Sequence, residues 1–237
     1  MQDRLILALD INSLKKAEEI INEVKDLIKF YKIGSQLFTA CGPSIIRLVQ
    51  KNGGKVFLDL KFNDIPNTVA SAIKEAVDLG VDMLTVHTMG GREMMIRTAE
   101  VVKTAREKNG RDTLVVGVTL LTSLDVNYLR EMAINLSTEE FVLHLAGLAG
   151  ECGLDGVVSS SRECLEIRKK CGPDFKIVTP GIRPAGDLLN DQKRTDTPSS
   201  AIKNGASYLV IGRPILEAEN KQAVIKNILN EMESSVK

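Results

Sequence analysis

Histidine is scarce in this sequence, and its cysteines lack the spacing that metal sites use. Only His87 and His144 occur among 237 residues, and none of the four cysteines belongs to a Cys-x-x-Cys pair. A structural zinc site needs four such ligands, and a serine or cysteine nucleophile usually needs a histidine as its base. The sequence therefore disfavours both kinds of site, and free thiols in a reducing cytoplasm are expected.

The chain also lacks a net charge and any long hydrophobic run. Basic and acidic residues number 31 each, so the formal net charge is zero, which argues against a nucleic-acid binder or a membrane-surface protein. No apolar stretch is long enough to span a bilayer. Asp3 and Arg4 lead directly into an apolar run, unlike the start of a signal peptide. We expect a cytoplasmic protein that binds neither nucleic acid nor membrane.

Eight short apolar runs recur along the chain, separated by helical patterns. The runs are Leu5–Leu9, Phe30–Ile33, a run that opens at Val56, Met83–His87, Thr113–Thr119, Gly156–Val158, Lys176–Thr179 and Tyr208–Ile211. Helices are predicted after Ser13, from Pro43, from Pro66 and, at the end of the chain, from about Ile215 to Met232. Strands that alternate with helices in this way are typically parallel.

The number of these units favours a closed barrel over an open sheet. Eight units in 237 residues, 43% of them hydrophobic, suit one (β/α)₈ TIM barrel that occupies the whole chain, 1–237. A doubly wound sheet would more often carry Gly-x-Gly-x-x-Gly after its first strand, where this chain has Asp10-Ile11-Asn12. The irregular segments Leu124–Glu139 and Ala185–Ser199 both follow strands, so they should lie on the carboxyl-terminal, catalytic face.

The segment Val56–Thr68 places unusual charges at a strand end. Asp59 and Lys61 continue an apolar run, and the period of two along a strand predicts that they leave the same face. Asp64 follows just beyond, before the helix that Pro66 opens. Charges at the end of a buried strand are costly unless they are paired, and folding does not need them there. We therefore interpret this segment as part of a functional site rather than as a solvated ion pair.

Other strand ends supply further polar residues on the same face. Together with the charges of the third strand they form one set of polar residues: Asp10, Lys32, Asp59, Lys61, Asp64, His87, Thr122, Arg183 and Arg213. The two lysines and three carboxylates of this set can neutralise most of one another's charge. Gly212-Arg213-Pro214 follows the eighth strand, where barrels commonly bind phosphate. Gln192 lies in the polar loop after the seventh strand, which could close over that phosphate. His87 suits a hydrogen-bonded barrel position as well as a ligand contact.

The segment Phe57–Thr68 closely resembles the signature of orotidine 5′-monophosphate decarboxylases, Asp-Leu-Lys-Phe-x-Asp-Ile-Pro-x-Thr. Further matches occur in the family's order, at Leu7–Asp10, Tyr31–Gly34, Val86-His87, Leu121–Ser123, Thr179–Arg183 and Ile211–Pro214. The resemblance spans nearly the whole chain, and no motif position departs from it. It implies a carboxy-lyase that converts orotidine 5′-monophosphate to uridine 5′-monophosphate without a metal or organic cofactor.

The resemblance also implies roles for individual residues. Lys61 would give the proton to C6 of the pyrimidine, with Asp59 near the substrate carboxylate and Lys32 and Asp10 on the ribose. Thr122 would contact the base. Arg183, Gln192, Gly212 and Arg213 would bind the 5′-phosphate and its link to the base. Asp64, Ile65 and Thr68 would reach into the neighbouring subunit's site, which implies a homodimer.

Three other functions remain as alternatives. A magnesium-dependent 3-keto-gulonate 6-phosphate decarboxylase shares the Asp-x-Lys-x-x-Asp pattern, but it holds its metal with a glutamate on the second strand, where this chain has Lys32. A sugar-phosphate epimerase or isomerase would need paired carboxylates or metal-binding histidines. A non-catalytic phosphate-binding barrel would not need a lysine between two aspartates.

Overall fold

Eight parallel strands close into a barrel. The computed structural model describes residues 1–184 and 196–235. The strands are β1 (Leu5–Ala8), β2 (Phe30–Gly34), β3 (Lys55–Phe62), β4 (Met83–His87), β5 (Leu114–Val118), β6 (Gly156–Val158), β7 (Lys176–Thr179) and β8 (Tyr208–Ile211). Each pairs with the next, and β8 pairs with β1. The prediction of a (β/α)₈ TIM barrel is confirmed.

Helices follow the strands and pack around the barrel. They are α1 (Leu14–Val24), α2 (Ser35–Cys41), α3 (Ser44–Lys51), α4 (Pro66–Asp78), α5 (Arg92–Asn109), α6 (Val126–Glu131), α7 (Thr138–Glu151), α8 (Cys164–Cys171), α9 (Pro198–Lys203), α10 (Arg213–Leu216) and α11 (Lys221–Ser234). The Ser13 side chain accepts from the Lys16 amide and caps α1, as predicted. Within these described residues, no helix is both long and apolar enough to cross a membrane.

Two details of the helices differ from the prediction. The final helix is not continuous, because α10 ends at Leu216 and the Asn220 side chain caps a new helix by accepting from the Ala223 amide. The predicted irregular segment after β5 contains α6, which is capped by Asp125. Both differences arise from short polar side chains that hydrogen-bond the backbone locally and so restart a helix. Helix α2 was not predicted, since its seven residues carry little amphipathic pattern.

The barrel interior changes from apolar to charged along its strands. A buried cluster fills its lower part with Ile6, Ala8, Phe30, Phe57, Met83, Val116, Val178 and Val210. Two residues further along β2 and β3, on the same face, stand Lys32 and Asp59. Asp10 likewise follows Ala8, and Thr85 follows Met83. The apolar layer thus becomes the floor beneath a layer of polar side chains.

Arginines tie the opposite, amino-terminal end of the barrel. Arg4 donates to the carbonyl oxygens of Ala206 and Ser207 at 2.5 and 3.0 Å. Arg168 donates to those of Phe175 and Gly205 at 2.6 and 2.7 Å. These contacts satisfy backbone carbonyls just before β7 and β8, so the basic residues at this end serve the fold.

Gly156 allows β6 to approach β7 closely. A Cβ at this position would collide with the backbone carbonyl of its partner Lys176, which cannot move without displacing β7. We expect Gly156→Ala to lower the free energy of unfolding by about 1–3 kcal/mol, the usual cost of overpacking. Urea unfolding would measure this change.

Gly150→Ala is the matched control, because its Cβ would meet only Phe175 at an ordinary 3.7 Å. Gly150 lies in α7, so alanine there should be neutral or stabilise by up to about 1 kcal/mol. Equal stability of the two variants would contradict the close approach of β6 and β7.

Candidate active site

A cavity of about 240 Å³ opens at the carboxyl ends of the strands. Eight of the residues singled out from the sequence line it: Asp10, Lys32, Asp59, Lys61, Thr122, Arg183, Gly212 and Arg213. Gln192 lies outside the described residues. The cavity floor includes Ala8, Phe57 and Val178 from the apolar layer. The charged groups therefore stand on an apolar floor, which lowers the local dielectric and strengthens their interactions.

Four charged side chains form an alternating chain across the first three strands. The Lys32 Nζ lies 3.0 Å from Asp10 Oδ1 and 3.6 Å from Asp59 Oδ2. The Lys61 Nζ lies 2.8 Å from the other carboxylate oxygen of Asp59. Asp59 is thus held between two ammonium groups, and the order of charges is negative, positive, negative, positive.

The Asp59 carboxylate stays ionised although it is buried. Burial alone would raise its pKa, but Lys32 and Lys61, together with hydrogen bonds from Lys61 and Thr85, lower the pKa below its ordinary value. Opposite charges and donated hydrogen bonds both favour the ionised form. The site therefore presents a fixed negative charge between the two lysine side chains.

Strand β3 is irregular where it carries these charges. Leu58 pairs with Leu84 and Phe62 with Val86, so residues 59–61 lie opposite Thr85 alone. Lys61 has a left-handed φ of +52°, which is uncommon for a residue with a side chain. The prediction that Asp59 and Lys61 project on one side is confirmed by their contact, but a bulge rather than regular alternation brings them together.

Thr85 on β4 contacts both ends of this irregular stretch. Its hydroxyl accepts from the Lys61 amide at 2.8 Å and donates to Asp59 Oδ1 at 3.1 Å. Thr85 is fully buried and does not line the cavity. The sequence reading missed it, although it shares a strand face with His87 two residues later and could have been found from that spacing.

His87 lies half-buried at the end of β4. Its Nδ1 accepts from the Met89 amide at 3.4 Å, which leaves the proton of the neutral ring on Nε2. Burial, and secondarily the charge of Lys61, lowers the pKa of His87 below its ordinary 6.5. The ring is therefore neutral at pH 7, and Lys61 lies close enough to influence it.

The opposite wall of the cavity carries the two arginines. Arg183, just after β7, is buried, and Arg213 begins α10 just after β8. Gly212 leaves room between them and β1, since a Cβ there would press against Ala8 and Asp10 at 3.3 Å. An anion bound by these arginines would lie across the cavity from the Asp59–Lys61 pair.

Three predicted site residues lie apart from the cavity. Asp64, Ile65 and Thr68 are all exposed and do not line it. The Asp64 carboxylate accepts from the Ile65 amide at 2.7 Å. Within one chain Asp10 and Asp59 contact the lysines, whereas Asp64 follows the end of β3 and does not line the cavity, so its role in a neighbouring subunit's site stays a prediction.

A metal site does not form from the described residues of this chain. They contain no group of three or more histidine, cysteine, aspartate or glutamate side chains placed to hold an ion. At the second strand, Lys32 puts an ammonium between Asp10 and Asp59, where a divalent cation would otherwise find carboxylates.

Comparisons with known proteins agree on one family. The family model described as orotidine 5′-phosphate decarboxylase / HUMPS family matches residues 3–228. A curated relative named orotidine 5′-phosphate decarboxylase, from Geobacter sulfurreducens, is 48% identical over 231 residues, which cover 98% of this chain and 96% of the relative. One of the same name from Moorella thermoacetica is 48% identical over 98% of this chain and 93% of its own length.

Solved structures give the same result. The crystal structure of orotidine 5′-phosphate decarboxylase from Lactobacillus acidophilus matches with a TM-score of 0.85 and 36% identity, over 96% of this chain and 98% of that one. The enzyme of that name from Pyrococcus horikoshii OT3 matches with a TM-score of 0.74 and 26% identity, over 97% of this chain and 99% of that one.

The influence of Lys61 on His87 can be measured directly, because the chain has only two histidines. We expect the NMR titration midpoint of His87 to lie below 6.5 and to rise in Lys61→Ala. The rise should be partial, since burial is the larger cause and remains. His144→Gln would assign the two signals, and a midpoint that does not move in Lys61→Ala would contradict the proximity.

Proposed function

The chain belongs to the orotidine 5′-phosphate decarboxylase / HUMPS family and decarboxylates orotidine 5′-phosphate to uridine 5′-phosphate, and we propose that Lys61 is the group that protonates C6. The observation that carries this proposal is the Lys61 ammonium, 2.8 Å from the buried Asp59 carboxylate and exposed to the cavity. Because Lys61 lines the cavity, its ammonium can contact a bound ligand.

The reaction needs such a cation. Loss of carbon dioxide leaves an electron pair at a ring carbon with no adjacent carbonyl to delocalise it, so the uncatalysed barrier is very high. A preorganised positive charge next to that carbon stabilises the developing carbanion without reorganisation. The same ammonium can then donate its proton to the carbon. Asp59 supports both steps, because its carboxylate holds the Lys61 ammonium in place through an ion pair of 2.8 Å.

Lys32 and Asp10 are proposed to bind the ribose hydroxyls. Asp10 is about half exposed, and Lys32 lies between it and Asp59. Together they offer hydrogen-bond donors and acceptors at a fixed spacing beside the reacting pair. Asp59 is proposed to face the substrate carboxylate, and its repulsion of that group would be relieved as carbon dioxide leaves.

The arginine wall is proposed to bind the 5′-phosphate. Arg183 and Arg213 supply the charge that a phosphate requires, with Gly212 leaving the backbone accessible. Gln192 is proposed to bridge phosphate and base, and Thr122, which lines the cavity, to contact the base. Because the phosphate does not react, its binding energy can serve to position the pyrimidine over Lys61.

The magnesium-dependent decarboxylase considered above is the less favoured alternative. The metal of that enzyme would have to bind next to the Lys32 ammonium, which lies 3.0 Å from Asp10. The positive charge of Lys32 would repel the metal ion. The relatives at 48% identity carry the name of the nucleotide decarboxylase. Both points support orotidine 5′-phosphate as the substrate.

We further propose that the working form is a homodimer in which each site borrows residues from the partner. In one chain Asp64, Ile65 and Thr68 do not line the cavity, and Ile65 is 68% exposed. An apolar side chain exposed to this extent beside a carboxylate suits a surface that becomes covered. The borrowed Asp64 would add a second carboxylate beside Lys61 of the partner site.

A cytoplasmic location is proposed as well. All four cysteines are free, two of them buried. Burial raises the pKa of the Cys164 thiol to about 11, so it remains protonated. Free thiols of this kind suit a reducing compartment, in which a nucleotide-synthesising enzyme would also meet its substrate.

The phosphate contact predicts an effect of Arg213→Ala on KM. Loss of one charge-assisted hydrogen bond should lower kcat/KM by about 10- to 100-fold, mostly through KM, because the phosphate does not react. The disappearance of the orotate absorbance measures both constants. Arg47→Ala, on the exposed face of α3, is the matched control. An unchanged KM in Arg213→Ala would place the phosphate elsewhere.

The shared site predicts that two inactive variants restore each other. Lys61→Ala and Asp64→Ala should each be nearly inactive. Each site would take Lys61 from one chain and Asp64 from the other. In the hybrid dimer, one site therefore carries both substitutions and the other site carries neither. Random subunit exchange makes about half of the dimers hybrids, so activity should approach about a quarter of the wild-type value.

The matched control is a mixture of Lys61→Ala with Asp59→Ala. These two residues contact each other within one chain, so every hybrid site keeps one lesion. This mixture should remain inactive. Recovery in the control, or none with Asp64→Ala, would refute the shared site, as would full activity of a protein that sediments as a monomer.

A further inference from the structure

The bulge in β3 removes a regular partner from the Lys61 amide. Three residues of β3, 59–61, lie opposite the single residue Thr85 of β4. In a regular parallel ladder this N–H would donate to a carbonyl of the neighbouring strand. Instead it donates to the Thr85 hydroxyl at 2.8 Å. The threonine side chain thus replaces a backbone acceptor at the residue whose ammonium enters the cavity.

The same hydroxyl also fixes the carboxylate that faces Lys61. It donates its proton to Asp59 Oδ1 at 3.1 Å, the oxygen that also contacts the Lys61 ammonium at 2.8 Å. A hydroxyl has one proton and two lone pairs, so it can satisfy both partners at once. Because Thr85 is β-branched and fully buried, its χ1 angle has little freedom.

We propose that Thr85 is a positioning residue for the decarboxylation, which fixes the Lys61 backbone and the Asp59 carboxylate relative to each other. Thr85 does not line the cavity, so it acts only through these two neighbours. The inference rests on the proposed roles of Asp59 and Lys61. It adds a residue of β4 to a pair that otherwise belongs to β3.

The backbone of Lys61 shows why this support matters. Its φ of +52° is unfavourable for a residue with a Cβ and persists only where neighbouring groups hold it. Without the hydroxyl, the Lys61 amide would lose its acceptor at 2.8 Å, and the peptide would turn towards a more favourable conformation. The ammonium would move with it, and a displacement of about 1 Å can lower a rate on the order of 100-fold.

The test compares Thr85→Val, which keeps the shape and removes the hydroxyl, with Thr85→Ser, which keeps the hydroxyl. We expect kcat of Thr85→Val to fall on the order of 100-fold, with KM close to wild type, because the phosphate contacts are untouched. Thr85→Ser should retain most of kcat. Thr113→Val is the matched control: its buried hydroxyl donates to the Val81 carbonyl at the other end of the barrel, so kcat should not change.

Each other outcome counts against the proposal. Wild-type kcat in Thr85→Val, a loss that serine does not restore, or a rise in KM equal to the fall in kcat would overturn it. If Thr85→Val does not fold, Thr85→Ala, which also lacks the hydroxyl and fits without a clash, must show the same loss. Lys61→Ala distinguishes a failure of the proposed function from a failure of this inference. Wild-type activity of Lys61→Ala would refute the role of Lys61 itself. Inactivity of Lys61→Ala together with full activity of Thr85→Val would refute only the role of Thr85.

Discussion

The whole site depends on keeping one buried carboxylate ionised. Asp59 receives the Lys61 ammonium and the Thr85 hydroxyl on one oxygen and faces the Lys32 ammonium with the other. Removing either lysine would take away a positive charge that balances this buried carboxylate, which is far more costly than the intact network. Asp10 then balances Lys32 at the cavity edge. Lys61, Lys32 and, through Lys32, Asp10 are therefore placed by their relation to this carboxylate.

The same strands carry apolar core residues in their lower part and charged residues towards their carboxyl ends. Phe30 and Phe57 belong to the apolar layer, and Lys32 and Asp59 stand two residues further along on the same face. The period of two thus stacks a charged layer directly upon a packed one. The packed layer supplies rigidity, which a preorganised electrostatic site requires. At the other end of the barrel Arg4 and Arg168 donate mainly to backbone carbonyls, so the charges there stabilise the fold.

Most of the fold could be predicted from the sequence because apolar runs and caps are local signals. Strands β6, β7 and β8 have the predicted bounds, and the Ser13 cap is where the pattern indicated. The break before Asn220 was missed because an apolar stripe continues across it. Among site residues, charges at strand ends identified Asp59 and Lys61, whereas Thr85 is uncharged and common in strands, so its spacing to His87 was its only signal. The positive φ of Lys61 arises from pairing between strands, which one sequence does not display.

The bulge in β3 adds residues that closure of the barrel does not require. Between the pairs at Leu58 and Phe62, β3 holds three residues against one on β4, two more than an unbroken ladder would contain. A chain shortened by two residues there would have regular hydrogen bonds and no left-handed lysine, and its remaining pairings could stay in register. The two extra residues of β3 are thus a local irregularity that regular pairing with β4 does not require.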